Sequence, residues 1–568
     1  MIESIAMRHS NSEAAGASDP GGPMRLYATP PHARRLRVLC VTPSHVPHWL
    51  EEWRALTADD PEIEVVLMPL PGPDAPAPAP APIDLRVLLR YERHRRRAPD
   101  RTFEPTRWGI GPESGTTPDC AIACLHARSL VPDLVLLLGP SDWAAPLAQC
   151  AALGCWQLDE TLVCPYRAAQ AVAGPMARGE VSTETALLLA PMEASDAVRR
   201  LVASRGATQT MSLDQQREAV FLKVPALLRR ALRQLARAER DDSERRAFRL
   251  SLDAAPAHAG GAARVLVRSL AARARRRWRR LRHPHDDPWF VLARQDVQGM
   301  QPDTPKVPAL EVLVADPSIG PQVWADPCVI EDHGRRLLFV EEGTPDAPKA
   351  HIACIEWPDD GPLRHLGIVL DRPWHLSFPQ VFRWEGQWYM TVESGQSRRV
   401  TLYRELAFPL QWEPVADLVV DRTCVDPVLY HHGDHWYLFA NVSESGGSTW
   451  DELFLFVADD LNGPYRPHPA NPIVADVHHA RMAGRLFVHD GRLVRPAQEC
   501  APAYGTAVVF NEVLELSPTV YHERRLGRLG HEWGEGLDGC HTYSATATLE
   551  VLDARGVPPR NAIRRQVG

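Results

Sequence analysis

Residues 325–340 read Ala-Asp-Pro-Cys-Val-Ile-Glu-Asp-His-Gly-Arg-Arg-Leu-Leu-Phe-Val. An Asp-Pro pair, an apolar run, a turn with glycine and a second apolar run follow one another, which indicates a hairpin of two strands. The same order recurs at 377–390, 425–438 and 483–493. The heads of these segments lie about fifty residues apart, which is the length of one four-stranded propeller blade. The sequence therefore predicts a β-propeller in the second half of the chain.

The chain divides by composition into four parts. With 568 residues it is too long for one hydrophobic core, and roughly two to four domains are expected. Residues 1–34 are rich in Ser, Ala and Gly and are predicted to be a disordered tail. Residues 35–215 alternate apolar strands with helical segments, which favours an open α/β sheet. An Arg-rich helical connector is predicted at 216–285 and the propeller domain at 286–568.

The connector is predicted to hold two helices, Val224 to Arg249 and Ala262 to Arg282. The second contains nine arginines, with Trp278 among them. The stretch Arg273–Arg282 is basic enough to attract phosphate or an anionic membrane surface, where each side chain adds about 1 kcal/mol. A charge run on a connector helix is more often simply solvated. We therefore expect at most a weak membrane contact through Arg273–Arg282.

Global composition argues against several classes of protein. The net charge of −8 gives no reason to expect a nucleic-acid partner. No run of about twenty apolar residues is present, so no membrane-spanning helix is predicted. The N-terminus lacks the order of a secretory signal, and the 11 cysteines are scattered without a CxxC pair. We expect a cytoplasmic protein without a disulfide framework or a structural zinc site.

Part of the predicted sheet domain resembles the formyltransferase family. The resemblance rests on the stretches Gly154–Asp159, Tyr166–Ala168 and Ala177–Thr183. In that family an Asn, an apolar residue and a His follow the glycine, whereas here Gln157 stands at the Asn position and Asp159 at the His position. A carboxylate would repel the oxyanion that develops during formyl transfer. The resemblance thus implies a degenerate formyltransferase-like fold, with N-formyl transfer to an amino sugar as a minor alternative.

The second half resembles the N-terminal domain of plant glucosamine inositolphosphorylceramide transferases and its bacterial relatives, which is similar to the five-bladed propellers of glycoside hydrolase family 43. The likeness extends over about residues 289–547 and consists of separate motifs in the same order. These motifs are Trp324–Pro327, Phe339–Glu342, His375–Pro379, Tyr389–Met390, Glu393–Ser394, Val425–Pro427, Ala480–Gly484, Arg495–Gln498, Tyr504–Gly505 and His541–Tyr543. The resemblance implies a five-bladed propeller with a polar central funnel.

Carboxylates on neighbouring repeats are candidates for sugar chemistry. Asp326 and Asp426 each precede a proline, which we expect to keep the backbone extended and to aim the side chain. Chemistry at a glycosidic bond uses one carboxyl group as acid, one carboxylate as base and often a third that tunes them. By resemblance to the hydrolases, Asp326 is the expected base, Asp426 the tuning group and Glu393 the acid. Glu342 is the alternative acid. A purely structural role is also open, in which Asp326 and Asp426 each only cap a turn.

Further polar side chains fit a substrate clamp. Arginines can pair with phosphate or carboxylate groups, and histidines can donate to hydroxyls, although a histidine in a β domain is more often a packed residue. The residues that we expect to contact substrate are His375, Arg481, Arg495, Gln498, Tyr504 and His541. The adjacent His478 and His479 would point to opposite faces of a strand, so no metal site is predicted. The sequence names no cofactor.

Two functions from different classes compete at this stage. The first is an intracellular carbohydrate-active enzyme, a transferase in glycan or glycolipid biosynthesis, whose partner is a sugar, an activated sugar or a glycolipid. The plant proteins carry a separate glycosyltransferase domain that this sequence does not show, so transfer to a ceramide lipid is not implied. The second is a catalytically degenerate protein that only binds a sugar or a partner chain. Convergence of the carboxylates in one funnel favours the first.

Overall fold

The structure is a computed structural model that describes most of the chain. The described residues are 24–29, 35–42, 45–69, 83–96, 105–107, 120–138, 141–158, 165–190, 199–237, 247–252, 261–282, 289–295, 300–305, 311–316, 322–344, 347–444, 446–530, 536–558 and 562–568. Among these residues, no helix combines the length and the hydropathy that crossing a bilayer requires. Residues 70–82, most of a proline-rich stretch that starts at Pro69, lie outside the described residues.

The N-terminal half forms a mixed, mostly parallel sheet of seven strands in the order β3-β1-β5-β6-β9-β7-β8. The first five strands in this order run parallel, and β7 and β8 pair antiparallel at one edge. A short separate ladder joins β2 and β4. The strands are β1 (Leu36–Thr42), β2 (His45–Pro47), β3 (Ile63–Pro69), β4 (Pro105–Arg107), β5 (Leu134–Leu137), β6 (Cys155–Leu158), β7 (Ser182–Ala190), β8 (Arg199–Ala207) and β9 (Ala247–Leu252). The predicted open α/β sheet is confirmed.

Helices cover both faces of this sheet, and an apolar cluster lies on each side of it. Fully buried strands such as Leu134–Leu137 need this double cover, which explains why they read as continuous apolar runs. The helices are α1 (His48–Thr57), α2 (Ile83–Arg96), α3 (Cys120–Ser129), α4 (Ala144–Ala148), α5 (Pro165–Arg178), α6 (Leu213–Phe221), α7 (Val224–Arg237) and α8 (Gly261–Arg282).

The predicted connector is partly built into the sheet domain. The helix expected over Val224–Arg249 ends at Arg237, and Ala247–Leu252 is strand β9, which inserts between β6 and β7. The pattern Ala-Phe-Arg-Leu-Ser-Leu alternates with period two, and pairing with β6 and β7 decided its state. Within the predicted tail, Leu26 and Tyr27 are buried against the propeller.

The second half is a propeller of five blades, as predicted. Blade I holds β12 (Val323–Asp332), β13 (Arg335–Gly343), β14 (His351–Trp357) and β15 (Arg364–Leu370). Blade II holds β16 (Ser377–Trp384), β17 (Gln387–Glu393), β18 (Arg399–Ala407) and β19 (Gln411–Val420). Blade III holds β20 (Cys424–His432), β21 (His435–Val442), β22 (Leu453–Ala458) and β23 (Arg466–Pro467). Blade IV holds β24 (Arg481–Met482), β25 (Phe487–His489), β26 (Arg492–Glu499), β27 (Ala507–Leu516) and β28 (Tyr521–Gly530).

Blade V closes the ring with strands from both ends of the propeller segment. Its strands are β10 (Trp289–Gln295), β11 (Glu311–Ala315), β29 (Leu537–Gly539), β30 (Tyr543–Ala545), β31 (Leu549–Gly556) and β32 (Ile563–Val567). Strand β10 pairs with β31 along seven residue pairs, so the first and the last strands of the domain share one sheet. This closure removes the open edges that a linear array of blades would leave.

Apolar side chains fill the space between each pair of neighbouring blades. Five clusters lie between blades I and II, II and III, III and IV, IV and V, and V and I. Successive residues of one strand therefore pack against two different blades. In β13, Leu337 and Phe339 belong to the I–II cluster, and Leu338 and Val340 belong to the V–I cluster. Both faces of the central strands are thus buried, and polarity does not alternate along them.

A β-bulge marks the head of the inner strand in blades I, II and III. The pairing register shifts at this point in each blade, and the residue before the proline adopts a left-handed φ: 50° at Asp326, 47° at Phe378 and 49° at Asp426. The expected extended conformation before proline is therefore wrong here, because the bulge rather than the proline sets this backbone. Bulges of this kind redirect a side chain next to a functional site.

Gly484 occupies the matching position in blade IV, with φ of 142°. A Cβ atom there would lie 2.1 Å from the carbonyl oxygen of Tyr543. We expect Gly484→Ala to lower the free energy of unfolding by about 3 kcal/mol or more, because backbone on both sides has to move. Gly386→Ala is the control, since its φ is also positive but no atom lies within 4 Å. Urea denaturation of both variants checks this, and equal losses would contradict it.

Candidate functional site

Asp326, on blade I, has partners from blades II and V. Its carboxylate accepts hydrogen bonds from Thr542 Oγ1 at 2.7 Å and from the Phe378 N–H at 3.2 Å, and His541 Nε2 lies 3.2 Å away. The side chain is buried, with 6% of its surface exposed. Burial, reinforced by the negative charges of Asp553 and Asp426, raises the pKa of Asp326 although His541 opposes the shift. The predicted base therefore lies in a closed, strongly polar setting.

His541 lies between two carboxylates. Its Nδ1 is 2.7 Å from Asp553 Oδ1, and its Nε2 faces Asp326. Asp553 also accepts hydrogen bonds from the backbone N–H groups of His541 and Thr542 and from that of Asp326. Burial lowers the pKa of His541, but the carboxylates of Asp553 and Asp326 outweigh it and raise that pKa. The charged imidazolium form is favoured, and the ring links blade V to blade I.

Asp326, His541 and Asp553 are also the group of described residues whose ligand atoms lie close enough to hold a metal ion. Two carboxylates and one imidazole suit a hard or borderline cation. Both nitrogens of His541 already face carboxylate oxygens, so the two N–H protons of the imidazolium satisfy the same atoms. A cation bound by these three residues would displace at least one of these protons.

Glu341 and Glu342 are neighbours on β13, and only Glu341 reaches the funnel. Glu341 forms a hydrogen bond with Asp326, and its Oε1 lies 3.4 Å from His375 Nε2. Burial and then the charge of Asp326 raise the pKa of Glu341 well above its ordinary range, and Glu393 adds to the shift. With 21% of its side chain exposed, Glu341 is open to a ligand. Sequence reasoning missed this residue.

Glu342, the predicted alternative acid, is on the opposite face of the strand. It accepts a hydrogen bond from Trp324 Nε1 at 2.8 Å, and its two oxygens lie 2.9 Å from His351 and from His365. Burial raises the pKa of Glu342, but these partners outweigh it and lower the pKa to about 2. A carboxyl group with so low a pKa stays ionised and cannot donate a proton near neutrality. The structure therefore does not bring Glu342 into the group of charged side chains around Asp326.

Glu393, Asp426 and Arg481 adjoin Asp326, Glu341 and His541, and we call these six residues the cluster. Arg481 pairs with both oxygens of Asp426, at 2.6 and 3.3 Å, and lies 3.5 Å from Glu393 Oε2. Gln498 Nε2 donates to Asp426 Oδ2 at 2.9 Å. Burial and then the charge of Asp426 raise the pKa of Glu393 well above its ordinary range, although Arg481 opposes the shift. Asp426 is buried, whereas 17% of the Glu393 side chain is exposed.

Aromatic rings form one wall of the site. The Tyr504 ring lies 4.8 Å from the Arg481 guanidinium carbon, and its centroid lies 5.3 Å from that of His541. Trp289 packs on His541 at 3.8 Å, and Trp450 lies 5.8 Å from Tyr504. Such rings offer apolar faces on which sugars stack and also hold the charged groups in place. Trp289 and Trp450 were not predicted.

The N-terminal domain contacts the loop that carries Trp450. Lys223 Nζ lies 2.7 Å from Asp451 Oδ2, next to Trp450 in sequence. Ala207 at the end of β8 packs against the small apolar cluster that also contacts Trp450 and Tyr504. The two domains therefore meet at the edge of the funnel, and the sheet domain supports part of its aromatic wall.

Of the predicted substrate-binding residues, five belong to the cluster or contact it and one does not. His375 contacts Glu341, Gln498 and Arg481 hold Asp426, and Tyr504 and His541 line the wall. Arg495 is wholly buried inside blade IV. Its guanidinium pairs with Glu523 at 2.7 Å and donates to the His479 carbonyl at 2.7 Å. Because these bonds occupy its charged end, Arg495 fastens blade IV and is not placed to contact substrate.

Of the two carboxylates that sequence reasoning missed, Asp553 left a signal in the sequence and Glu341 did not. Asp553 stands within Leu549–Ala554, an otherwise apolar stretch apart from Glu550, and a carboxylate in a buried strand needs a partner. Glu341 pairs in register with Ala325, next to Asp326, but strand polarity does not reveal this because both blade faces are buried.

In the sheet domain, Gln157 lies on β6, and Asp159 lies outside the described residues. The formyltransferase resemblance stays a prediction.

Comparison with known proteins gives a family match within the propeller half. The family described as glucosamine inositolphosphorylceramide transferase 1, N-terminal, matches residues 310–533. The transferase of that name from Oryza sativa subsp. japonica is 33% identical over 257 residues, which cover 43% of this chain and 34% of the rice protein. Its namesake from Arabidopsis thaliana is 32% identical over 203 residues, covering 35% of this chain and 26% of that protein. The chain thus spans about a third or less of these relatives.

Solved structures give more distant matches. An exo-β-1,3-galactanase from Clostridium thermocellum has 10% identity and a TM-score of 0.32, covering 44% of this chain and 64% of that one. A family 117 glycoside hydrolase from Zobellia galactanivorans has 13% identity and a TM-score of 0.31, covering 43% and 76%. The comparison therefore depends on sequence similarity and not on these structures: residues 310–533, less than half of the chain, match the family described as glucosamine inositolphosphorylceramide transferase 1, N-terminal.

Proposed function

We propose that this protein is a carbohydrate-active enzyme that transfers a glycosyl group, with its active site in the propeller funnel. The observation that carries the proposal is the meeting of Asp326, Glu341, Glu393 and Asp426, from three different blades, around Arg481 and His541. Burying several carboxyl groups together is costly and adds nothing to stability that apolar residues would not supply. Such clusters with displaced pKa values are typical of sites that move protons.

The geometry supports separate roles for the two partly exposed glutamates, Glu393 and Glu341. The raised pKa of Glu393 favours its protonated form, so it can protonate the oxygen of the leaving group as the C–O bond breaks. Asp426 stays paired with Arg481 and holds Glu393 in place through a hydrogen bond. Asp326 accepts the proton of the attacking hydroxyl group. Glu341 shares a hydrogen bond with Asp326 and adjusts the pKa of this base.

The site and the relatives support the same substrate class. Acidic groups with adjacent aromatic rings suit a sugar, whose hydroxyls and apolar ring face they match. The names of the plant relatives speak of glucosamine and inositolphosphorylceramide, and similarity to part of their length supports a sugar, an activated sugar or a glycolipid as partner. The role in glycan or glycolipid biosynthesis is part of the proposal.

Two glutamate variants test the proposal. Substrates are first found by screening activated sugars and aryl glycosides. We expect Glu393→Gln to lower turnover about a hundredfold when the leaving group is another sugar, whose oxygen must be protonated as it departs. The loss should shrink to less than about tenfold for a dinitrophenyl leaving group, which needs no proton. Glu342→Gln is the control for removing a buried glutamate outside the funnel, and it should keep turnover within about twofold.

Other outcomes would favour the alternative function. If sugars stabilise the protein against heat but no bond is cleaved or formed by the wild type, the funnel is a sugar-binding site. If Glu342→Gln abolishes turnover and Glu393→Gln does not, the chemistry lies outside the cluster described above.

A further inference from the structure

Helix α8 carries a concentrated positive charge on the sheet domain. Its 22 residues contain nine arginines and no acidic residue, although the whole chain has a net charge of −8. One face of the helix is packed: Val265 and Ser269 are buried against the domain. Arg273 belongs to this face too, because it pairs with Glu92 at 3.0 Å and donates to the Met211 carbonyl at 2.9 Å. The helix is thus fixed in orientation.

The opposite face of α8 combines apolar side chains with arginines. Val267, Leu270 and Trp278 have 64%, 52% and 57% of their surface exposed. With Ala274 they follow a spacing of three, four and four residues, so they form one stripe along about three turns. Exposed arginines lie on both sides of this stripe, and they are Arg264, Arg268, Arg275 and Arg277. An apolar centre with cationic borders is typical of helices that lie in a lipid interface.

Helix α2 packs beside α8 and has similar chemistry. Val87 and Tyr91, one turn apart, are 62% and 55% exposed, and the helix contains five arginines. The Glu92 side chain ties the two helices together through Arg273. Two neighbouring basic helices therefore present exposed apolar groups on the same domain.

We propose that the outer face of α8, with α2 beside it, binds the surface of a bilayer that contains anionic phospholipids. Charge complementarity attracts lipid phosphates to the arginines, and Val267, Leu270 and Trp278 can enter the region between head groups and acyl chains. An exposed apolar stripe gains free energy from acyl chains and nothing from a nucleic-acid backbone, which favours lipid over nucleic acid. This inference does not depend on the chemistry in the funnel.

Co-sedimentation of the full chain with lipid vesicles tests the proposal. We expect binding to vesicles of equimolar phosphatidylcholine and phosphatidylglycerol, at least about tenfold weaker binding to phosphatidylcholine alone, and a decline with added sodium chloride. The double variant Arg275→Glu/Arg277→Glu should weaken binding at least about tenfold because it reverses two charges. Val267→Ser/Trp278→Ser, which keeps every charge, should also weaken it severalfold.

A matched charge reversal on the propeller is the control. Arg364 and Arg466 have 68% and 61% of their side chains exposed, so Arg364→Glu/Arg466→Glu changes net charge equally without touching α8. This variant should bind vesicles as the wild type does. Equal losses in both charge variants would reduce the effect to net charge and overturn the proposal. Tighter binding to RNA than to anionic vesicles, unchanged in Val267→Ser/Trp278→Ser, would overturn it in favour of a nucleic-acid surface.

Discussion

Asp326→Asn should lower turnover about a thousandfold and leave the protein folded. Asparagine has nearly the same shape, and its oxygen can still accept the hydrogen bond of Thr542 Oγ1 at 2.7 Å. Its NH2 group then faces the Phe378 N–H, so only this longer bond, at 3.2 Å on the other carboxylate oxygen, is lost. An amide cannot take a proton from the acceptor hydroxyl near neutrality, so the reaction loses its base. Sugar binding should change little, because the replaced group acts on the proton and not on the shape of the site. The loss should therefore appear in kcat rather than in KM.

The pH dependence gives an independent measurement of this role. Because folding raises the pKa of Asp326, its ionisation costs stability as pH rises from the ordinary aspartate range through the folded pKa. The neutral asparagine removes that cost, so the stability of the variant relative to wild type should improve over this window. Wild-type kcat/KM should rise as Asp326 ionises and fall as Glu393 loses its proton at higher pH.

A surface aspartate on the same blade serves as the control for Asp326→Asn. The Asp359 side chain is 90% exposed and pairs with Arg336, so Asp359→Asn should retain wild-type turnover. An Asp326→Asn protein that keeps more than about a tenth of wild-type turnover would remove Asp326 from the role of base.

Arg481→Met should destabilise the fold by about 3–5 kcal/mol. Methionine fills much of the volume but leaves the Asp426 carboxylate buried without its bidentate partner, and Glu393 loses a nearby positive charge. That charge opposes the rise in the pKa of Glu393, so its removal should raise this pKa further and move the alkaline limb of the pH–rate profile upward. Guanidinium denaturation and the pH profile measure the two effects.

A second substitution separates the charge effect from the loss of packing. Asp426→Asn in the Arg481→Met background removes the stranded carboxylate and should recover about half of the lost stability. No recovery would show that Arg481 acts through packing against Tyr504 rather than through its charge pair. Arg481→Lys keeps a charge but offers no planar fork, so it should restore only part of the stability.

The sequence was sufficient for blades I to IV because each hairpin carries its own signals, whereas the fifth blade was expected only from the family resemblance. Each local unit starts with a Pro or Gly residue, followed by an apolar strand, a turn with glycine and a second strand. Repetition of this unit at nearly constant spacing specifies an array of blades. It misjudged β9, because Ala247–Leu252 is a strand only through its pairing with β6 and β7. It also placed Asp326 and Asp426 in extended backbone, whereas the bulge imposes a left-handed φ.

The site required more than the pattern. Asp326, Asp426 and Glu393 were found from position in the repeats, since equivalent positions of blades face one axis. The sequence analysis named Glu342 and missed Glu341, because Leu338 and Phe339 are both buried and polarity does not mark the inward face. Arg495 reads like Arg481 in sequence, yet Glu523 holds it inside blade IV.

By itself, the chain of residues determined a parallel sheet domain, a basic helix and an array of blades whose heads carry carboxylates, because these depend on contacts between neighbours in sequence. Tertiary structure alone decided which carboxylates share protons. His541 and Asp553 reach Asp326 only because β10 pairs with β31 and closes the ring, joining residues more than two hundred positions apart. The pKa of a buried group depends on charges in space, and those charges come from distant parts of the chain.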